Sequence, residues 1–333
     1  MEKNIGFNDK YNFGVEIEFA NDNRTLSEIY RNSINNLLPI RYLINHKKYD
    51  ITFDRWILDE DPTVTKIISD NYYGGEISSR ILSDNIDSWK ELKKICELLK
   101  NNKSYIDMYC GEHINIDISR YLDNPKFFEI LYKLLIVYEP EIDIFFRGEK
   151  NYIRNTKYGF ANNMRDRLFK NIKKVDFNSK YYIDNIRYKS RSFKISDGIS
   201  LYKLYKSNLM EIRYPNGTLN PDVIQNNINF SLSILSAIEN DKIDLDFLNY
   251  LIKEGKEDDF MFRYNFFCYF NDCSKLDSLL NQICQNEKSR ANFTKQYQKI
   301  LTREDNISNK ELWFKKYIPN NIPHKAPSIW PSW

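Results

Sequence analysis

Residues 12–20, NFGVEIEFA, alternate strictly between apolar and polar or small side chains, and this limits the chain more than any other segment. Successive residues of a strand point to opposite faces. Phe13, Val15, Ile17 and Phe19 therefore share one side, and Gly14, Glu16 and Glu18 the other. Such a strand must lie in a sheet with a core on one face only. The pattern recurs. In 111–118, Gly111, His113, Asn115 and Asp117 oppose Ile114, Ile116 and Ile118; in 75–78, Glu76 and Ser78 oppose Gly75 and Ile77; in 210–214, Glu211 and Arg213 oppose Met210, Ile212 and Tyr214. The expected fold is α+β: one antiparallel sheet with an apolar face under helices and an acid-rich face that carries the chemistry.

The helices follow from spacing. Thr25–Leu38 and the segment from Asp87 to Lys100 repeat apolar residues at helical intervals, the latter through Trp89, Leu92, Ile95, Cys96 and Leu99. Pro125 opens a buried helix expected to reach Tyr138, and a long helix is expected from Asp222 to about Ile238. Residues 49–58 read as extended. Three regions are expected: a catalytic unit over 11–230 with a basic insert at 147–194, a helical region over 231–316, and a tail over 317–333 rich in Pro and Trp.

Charge separates these regions. The chain of 333 residues carries a net +3, but its insert holds 14 Lys/Arg against 4 Asp/Glu. Such a block attracts phosphate, nucleic acid or an acidic peptide, unless it is simply a solvated insertion. Five cysteines without a CxxC spacing point away from a disulfide scaffold and towards a reducing cytoplasm. No run of about 20 apolar residues is present, so no membrane-spanning segment is expected, and the N-terminus does not read as a signal peptide.

A solvated sheet face usually carries Lys, Thr, Glu and Arg in loose mixture. These faces hold Glu, His, Asn and Arg, with five of the chain's ten glycines (14, 74, 75, 111 and 217) in the same short segments. Glycine inside a strand marks close approach by a ligand or by backbone. Clustered carboxylates repel and stay ionised together when cations lie between them. Carboxylates with one imidazole suit hard ions such as Mg2+ or Mn2+, which pair readily with substrate phosphates. A lone Arg on that face fits an anion.

The segments FGVEIEF (13–19), Trp56 with Asp61-Pro62-Thr63, GGEISSRIL (74–82), CGEHINID (110–117) and MEIRYPNGTLNP (210–221) occur in this order. The set resembles the amidoligase family of the carboxylate–amine ligase superfamily, related to glutamine synthetase and glutamate–cysteine ligase, over roughly residues 11–230. The resemblance implies a glutamine-synthetase-like sheet cupping ATP and Mg2+ (or Mn2+), and an ATP-dependent ligase acting through an acyl phosphate on a peptide or amino-acid carboxylate and an amine. It implies metal ligation by Glu16, Glu18, Glu76, His113 and Glu211, with catalytic roles for Glu76, Glu211 and Arg213. His113 would also contact the metal–phosphate group, and superfamily relatives often form homo-oligomers. Family members often read CGxHVH where Asn115 replaces the second His. An amide oxygen can bind a metal or a hydroxyl, but it cannot serve as a base.

Two other readings use the same residues. A Mg-dependent nuclease or phosphodiesterase would combine the acidic face with the basic insert, and a non-catalytic module would bind nucleotide or nucleic acid without turnover. Arg191 and Lys194 are candidates to reach ATP phosphates. Glu112, on the apolar side of its strand, is expected at an edge or loop, and Cys110 is read as a packing thiol rather than a nucleophile.

Overall fold

The computed structural model describes residues 10–21, 25–36, 38–43, 54–61, 64, 73–107, 109–147, 197–201, 203–257 and 274–301, with residues 161, 164, 165, 168, 169, 172, 176–179, 181 and 182 between them. Its centre is a sheet of eight strands. These are β1 (Asn12–Asn21), β2 (Ile40–Tyr42), β3 (Trp56–Glu60), β4 (Tyr73–Ser78), β5 (Leu82–Ser83), β6 (Glu112–Asp117), β7 (Ile199–Ser200) and β8 (Leu209–Ile212), in the order β2-β3-β4-β1-β6-β8-β7, with β5 paired to β1. The architecture is α+β as expected, but the sheet is mixed. The edge pair β2–β3 is parallel, and every other pairing is antiparallel. The parallel edge comes from a strand of only three residues, too short for alternation to announce.

Local chemistry fixes the helices. α1 (Leu26–Asn35) starts at a capping box in which Thr25 and Glu28 bond each other's backbone N–H. α2 (Ile86–Asn101) starts where the Asn85 side chain accepts from Ser88 N. α3 (Pro125–Phe145) and α5 (Pro221–Glu239) each place Pro in the first turn behind an Asn cap. α3 runs past the expected end at Tyr138 and through Pro140 to Phe145. Burial of Ile142, Ile144 and Phe145 offsets the backbone bond that Pro cannot make. Between β7 and β8 lies the single turn α4 (Leu204–Ser207). α6 (Leu245–Glu257), α7 (Ser274–Ile283) and α8 (Glu287–Leu301) follow.

The apolar sheet face is covered as the alternation requires. Phe13 of β1 stacks on Trp89 of α2 at 5.5 Å between ring centroids. Residues 223–238 of α5 are buried except at Asn226, because α2, α3, α7 and α8 all pack against this helix. Phe145, Phe230 and Phe293 join α3, α5 and α8 in one aromatic cluster. No described helix is long and apolar enough to cross a membrane.

One expectation changes. Glu112 is fully buried beneath the sheet instead of lying at an edge, and its Oε2 accepts from Asn227 Nδ2 of α5 at 2.9 Å. Asn227 Oδ1 in turn accepts from Gln296 Nε2 of α8 at 2.8 Å, so a polar thread ties sheet to outer helix. Part of the basic insert that the structure describes packs inward. Arg147 and Arg165 are buried, Arg147 lies 3.4 Å from Asp143, and the buried Glu139 carboxylate accepts from the backbone N–H groups of Met164 and Arg165.

Candidate metal centre on the polar sheet face

Register brings the polar residues into cross-strand rows. β1 and β6 set Glu16 opposite His113 and Gly14 opposite Asn115. β1 and β4 set Glu18 opposite Glu76 and Glu16 opposite Ser78. β6 and β8 set Asn115 opposite Glu211, while β3 adds Asp59 opposite Glu76. Directly opposed residues share a face, so acids distant in sequence converge on the side away from the helices.

The side chains meet there. His113 Nδ1 lies 3.0 Å from Glu16 Oε2, and His113 Nε2 lies 3.4 Å from Glu18 Oε1. Glu18 Oε2 accepts from Gly111 N at 2.6 Å, and Asn115 Nδ2 donates to Glu16 Oε1 at 2.8 Å. Ser78 Oγ donates to Glu76 Oε1 at 2.7 Å. Arg213 NH1 donates to Glu211 Oε1 at 3.1 Å. Glu211 and His113 retain only 1% and 4% of their side-chain exposure.

Sequence reasoning missed one member. Lys203 Nζ reaches Glu16 Oε1 at 3.2 Å, Glu211 Oε1 at 2.9 Å and Asn115 Oδ1 at 2.9 Å. It stands in the connection between β7 and β8, where no periodicity marks it. The only signal was its place between two segments that pair as a hairpin. Arg191, Lys194 and Thr63 lie outside the described residues.

Charge is distributed unevenly over the cluster. Burial would raise the Glu16 pKa, but the His113 hydrogen bond and the Lys203 charge hold it well below the usual carboxylate range. Burial also works against the Lys203 ammonium, and the Glu16 and Glu211 charges outweigh it, so its pKa stays raised. Glu76 differs. Burial and then the Glu16 charge push its pKa up to about 8, against the opposing Ser78 hydrogen bond.

Two groups have metal-binding geometry among the described residues: Glu18, Glu76 and His113, and Glu16, His113 and Glu211, each with ligand atoms within 4.8 Å of one another. A hard divalent ion fits the first group. His113 Nε2 is buried without a hydrogen-bond partner and lies 3.4 Å from Glu18 Oε1. Glu211 Oε2 is likewise buried without one.

The neighbouring residues are structural. Cys110 is buried and its thiol donates to Asp107 Oδ1 at 3.3 Å; burial, then the Asp107 charge, push its pKa well above the ordinary thiol value. This is a packing thiol. Gly75 and Gly217 serve close packing. A Cβ on Gly75 would lie 2.9 Å from a Leu26 methyl, and one on Gly217 would lie 2.9 Å from the Cys110 carbonyl oxygen.

No curated protein matches the chain. A family sequence model does match, over residues 9–235, a span that includes all eight strands and every residue of the acidic cluster. With more than half of its length matched, the chain belongs to the family described as "putative amidoligase enzyme", ligases that form amide bonds.

Proposed function

We propose that the chain is an ATP-dependent ligase that joins the carboxylate of a peptide or amino acid to an amine through an acyl phosphate. The observation that carries this reading is the Glu18–Glu76–His113 group, a hard-ion donor set on the polar face of an amidoligase-family sheet. Phosphoryl transfer depends chiefly on positioning and on charge placed around the phosphate oxygens. Glu18, Glu76 and His113 would hold Mg2+ or Mn2+. When bound, the ion supplies positive charge beside the nucleotide phosphates. Arg213, steadied by Glu211 through NH1 at 3.1 Å, would neutralise the phosphoryl group in transfer. The fixed hydrogen bonds among Glu16, Asn115 and His113 hold the face in shape before substrate arrives, which lowers the reorganisation needed during reaction.

The test is to incubate the full chain with ATP, Mg2+ and pools of amino acids and peptides. Phosphate release should rise with the correct pair of substrates, and mass spectrometry should find a product equal to the two substrates less one water. Metal-dependent cleavage of nucleic acid without nucleotide turnover, or no stimulated phosphate release over a broad pool, would overturn the reading.

A further inference from the structure

Arg147 follows the C-terminal end of α3, and its side chain keeps only 5% of its exposure. A guanidinium carries five N–H donors and stays charged at any pH a protein meets. Among the described residues, the one side-chain bond of Arg147 runs from NH2 to Asp143 Oδ2, at a long 3.4 Å. Its Nε is buried without a hydrogen-bond partner. Arg80 shows the contrast. Although its side chain keeps 30% of its exposure, Nε and NH2 bond the Glu91 carboxylate at 2.8–3.1 Å and NH1 donates to the Ile81 carbonyl at 3.1 Å.

The negative end of α3 and the Asp143 carboxylate offset part of the Arg147 charge. Neither bonds Nε, and an unmade hydrogen bond on a buried charged group is costly. Burying such a donor makes sense where a ligand completes it. The backbone that carries the donor is fixed. Arg147 N donates to Ile144 O at 3.2 Å, and Arg147 O accepts from Asn216 Nδ2 at 3.1 Å. Asn216 N bonds Phe146 O at 3.0 Å, Asn216 pairs with Gly111, and Gly111 O accepts from Glu18 N at 3.0 Å. Three backbone steps thus lead from the acidic cluster to Arg147.

The planar guanidinium fork matches a carboxylate or a phosphate. The net positive charge of the insert that begins at Arg147 attracts either one. Low exposure sets the size of the ligand. A side chain this closed can meet a single terminal group, whereas a nucleic-acid backbone needs an open surface. We infer that Arg147 is the recognition residue of an oxyanion site at the end of α3, beside the turn Pro215-Asn216-Gly217, and that this site takes one terminal phosphate or carboxylate group. The inference stands apart from the metal and ligase readings, and its test needs neither metal nor nucleotide.

The test is nuclear magnetic resonance of the arginine Nε–H groups in the full chain, titrated with inorganic phosphate and, separately, with acetate. Ionic strength is held constant with chloride. Arg147→Lys, which keeps the charge and lacks Nε–H, assigns the signal. The Arg147 signal should shift and saturate. A response to phosphate alone supports a phosphate site, and a response to acetate alone supports a carboxylate site. Arg213, Lys203 and the insert also attract anions, so the atom-specific signal decides. By calorimetry, Arg147→Met should bind the responding anion at least about 10-fold more weakly than wild type. Arg147→Lys serves in its place if the Met variant does not fold. An Arg147 signal unmoved by both anions would overturn the inference. A folded Arg147→Met chain that binds both anions as tightly as wild type would do the same.

Discussion

Glu16 and His113 are directly opposed on β1 and β6, and Glu16 Oε2 lies 3.0 Å from Nδ1 of the ring. The contact fixes the ring so that Nε2 faces Glu18, 3.4 Å away. Replacing His113 with Gln removes both the ligand and the oriented ring. Loss of an outer partner of a metal ligand typically costs 10–100-fold in affinity, so loss of the ligand should weaken Mn2+ binding by at least about 10-fold. Glu16→Gln keeps the shape but loses the charge that orients Nδ1–H, and a smaller loss is expected. Calorimetric titration of both variants, with circular dichroism to show that each is folded, decides the matter; equal affinity in His113→Gln and wild type would count against the site.

Glu76 makes the metal-free protein sensitive to pH. Its pKa is pushed to about 8, first by burial and next by Glu16, whereas an unfolded Glu titrates near 4.3. The folded value is raised, so the protonated carboxyl contributes stability that is fully present below about pH 4.3 and is lost as pH rises through about 8. Glu76→Gln removes this dependence. In EDTA, the variant should gain in Tm relative to wild type between pH 5 and 8, and saturating Mg2+ should shrink or reverse the gain. Parallel Tm profiles for the two proteins across this range would show that Glu76 carries no such burden.

The alternation in residues 13–19, 75–78, 111–118 and 210–214 revealed the shared face because side-chain direction in a strand has a strict period of two. Glu16, Glu18, Glu76, His113 and Glu211 could thus be grouped before any pairing was known. Lys203 could not, because loop residues follow no period and its partners lie 8 and 187 residues away. The helix from Pro125 was expected to reach Tyr138, yet it runs through Pro140 to Phe145 because tertiary burial outweighs the local preference of Pro. Glu112 broke the apolar pattern of its strand, and nothing nearby in sequence showed that Asn227, 115 residues on, would accommodate it.

That buried pair makes a stability prediction. Glu112 lies at 0% exposure under the sheet, and Asn227 donates to it at 2.9 Å while accepting from Gln296. Removing one partner of a buried hydrogen bond leaves the other to bear its desolvation, about 1–3 kcal/mol and more for a charged group. Asn227→Ala should lower stability by about that amount in urea denaturation, with little effect on Mn2+ affinity because the residue lies on the opposite side of the sheet. Glu112→Gln should be milder, since an amide retains an oxygen to accept from Asn227. A stability loss for Asn227→Ala well below about 1 kcal/mol would show that the polar thread contributes little.

Gly217 links packing to the site. A Cβ there would fall 2.9 Å from the Cys110 carbonyl oxygen, 3.0 Å from the Cys110 carbonyl carbon and 3.0 Å from an Ile106 methyl. The first two contacts are backbone, which cannot move aside as a flexible side chain would. The strained backbone leads directly to Gly111, whose N–H bonds Glu18 Oε2 at 2.6 Å, and then to His113. Gly217→Ala should therefore cost about 1–3 kcal/mol of stability by overpacking and also weaken Mn2+ binding. Gly14→Ala is the control, because its Cβ would meet only Ser79 Oγ, at an ordinary 3.5 Å. The two variants should differ clearly in urea midpoint and in metal titration. If Gly217→Ala is as stable as Gly14→Ala and binds Mn2+ equally well, the Cys110–Gly111 approach has no part in shaping the Glu18 ligand.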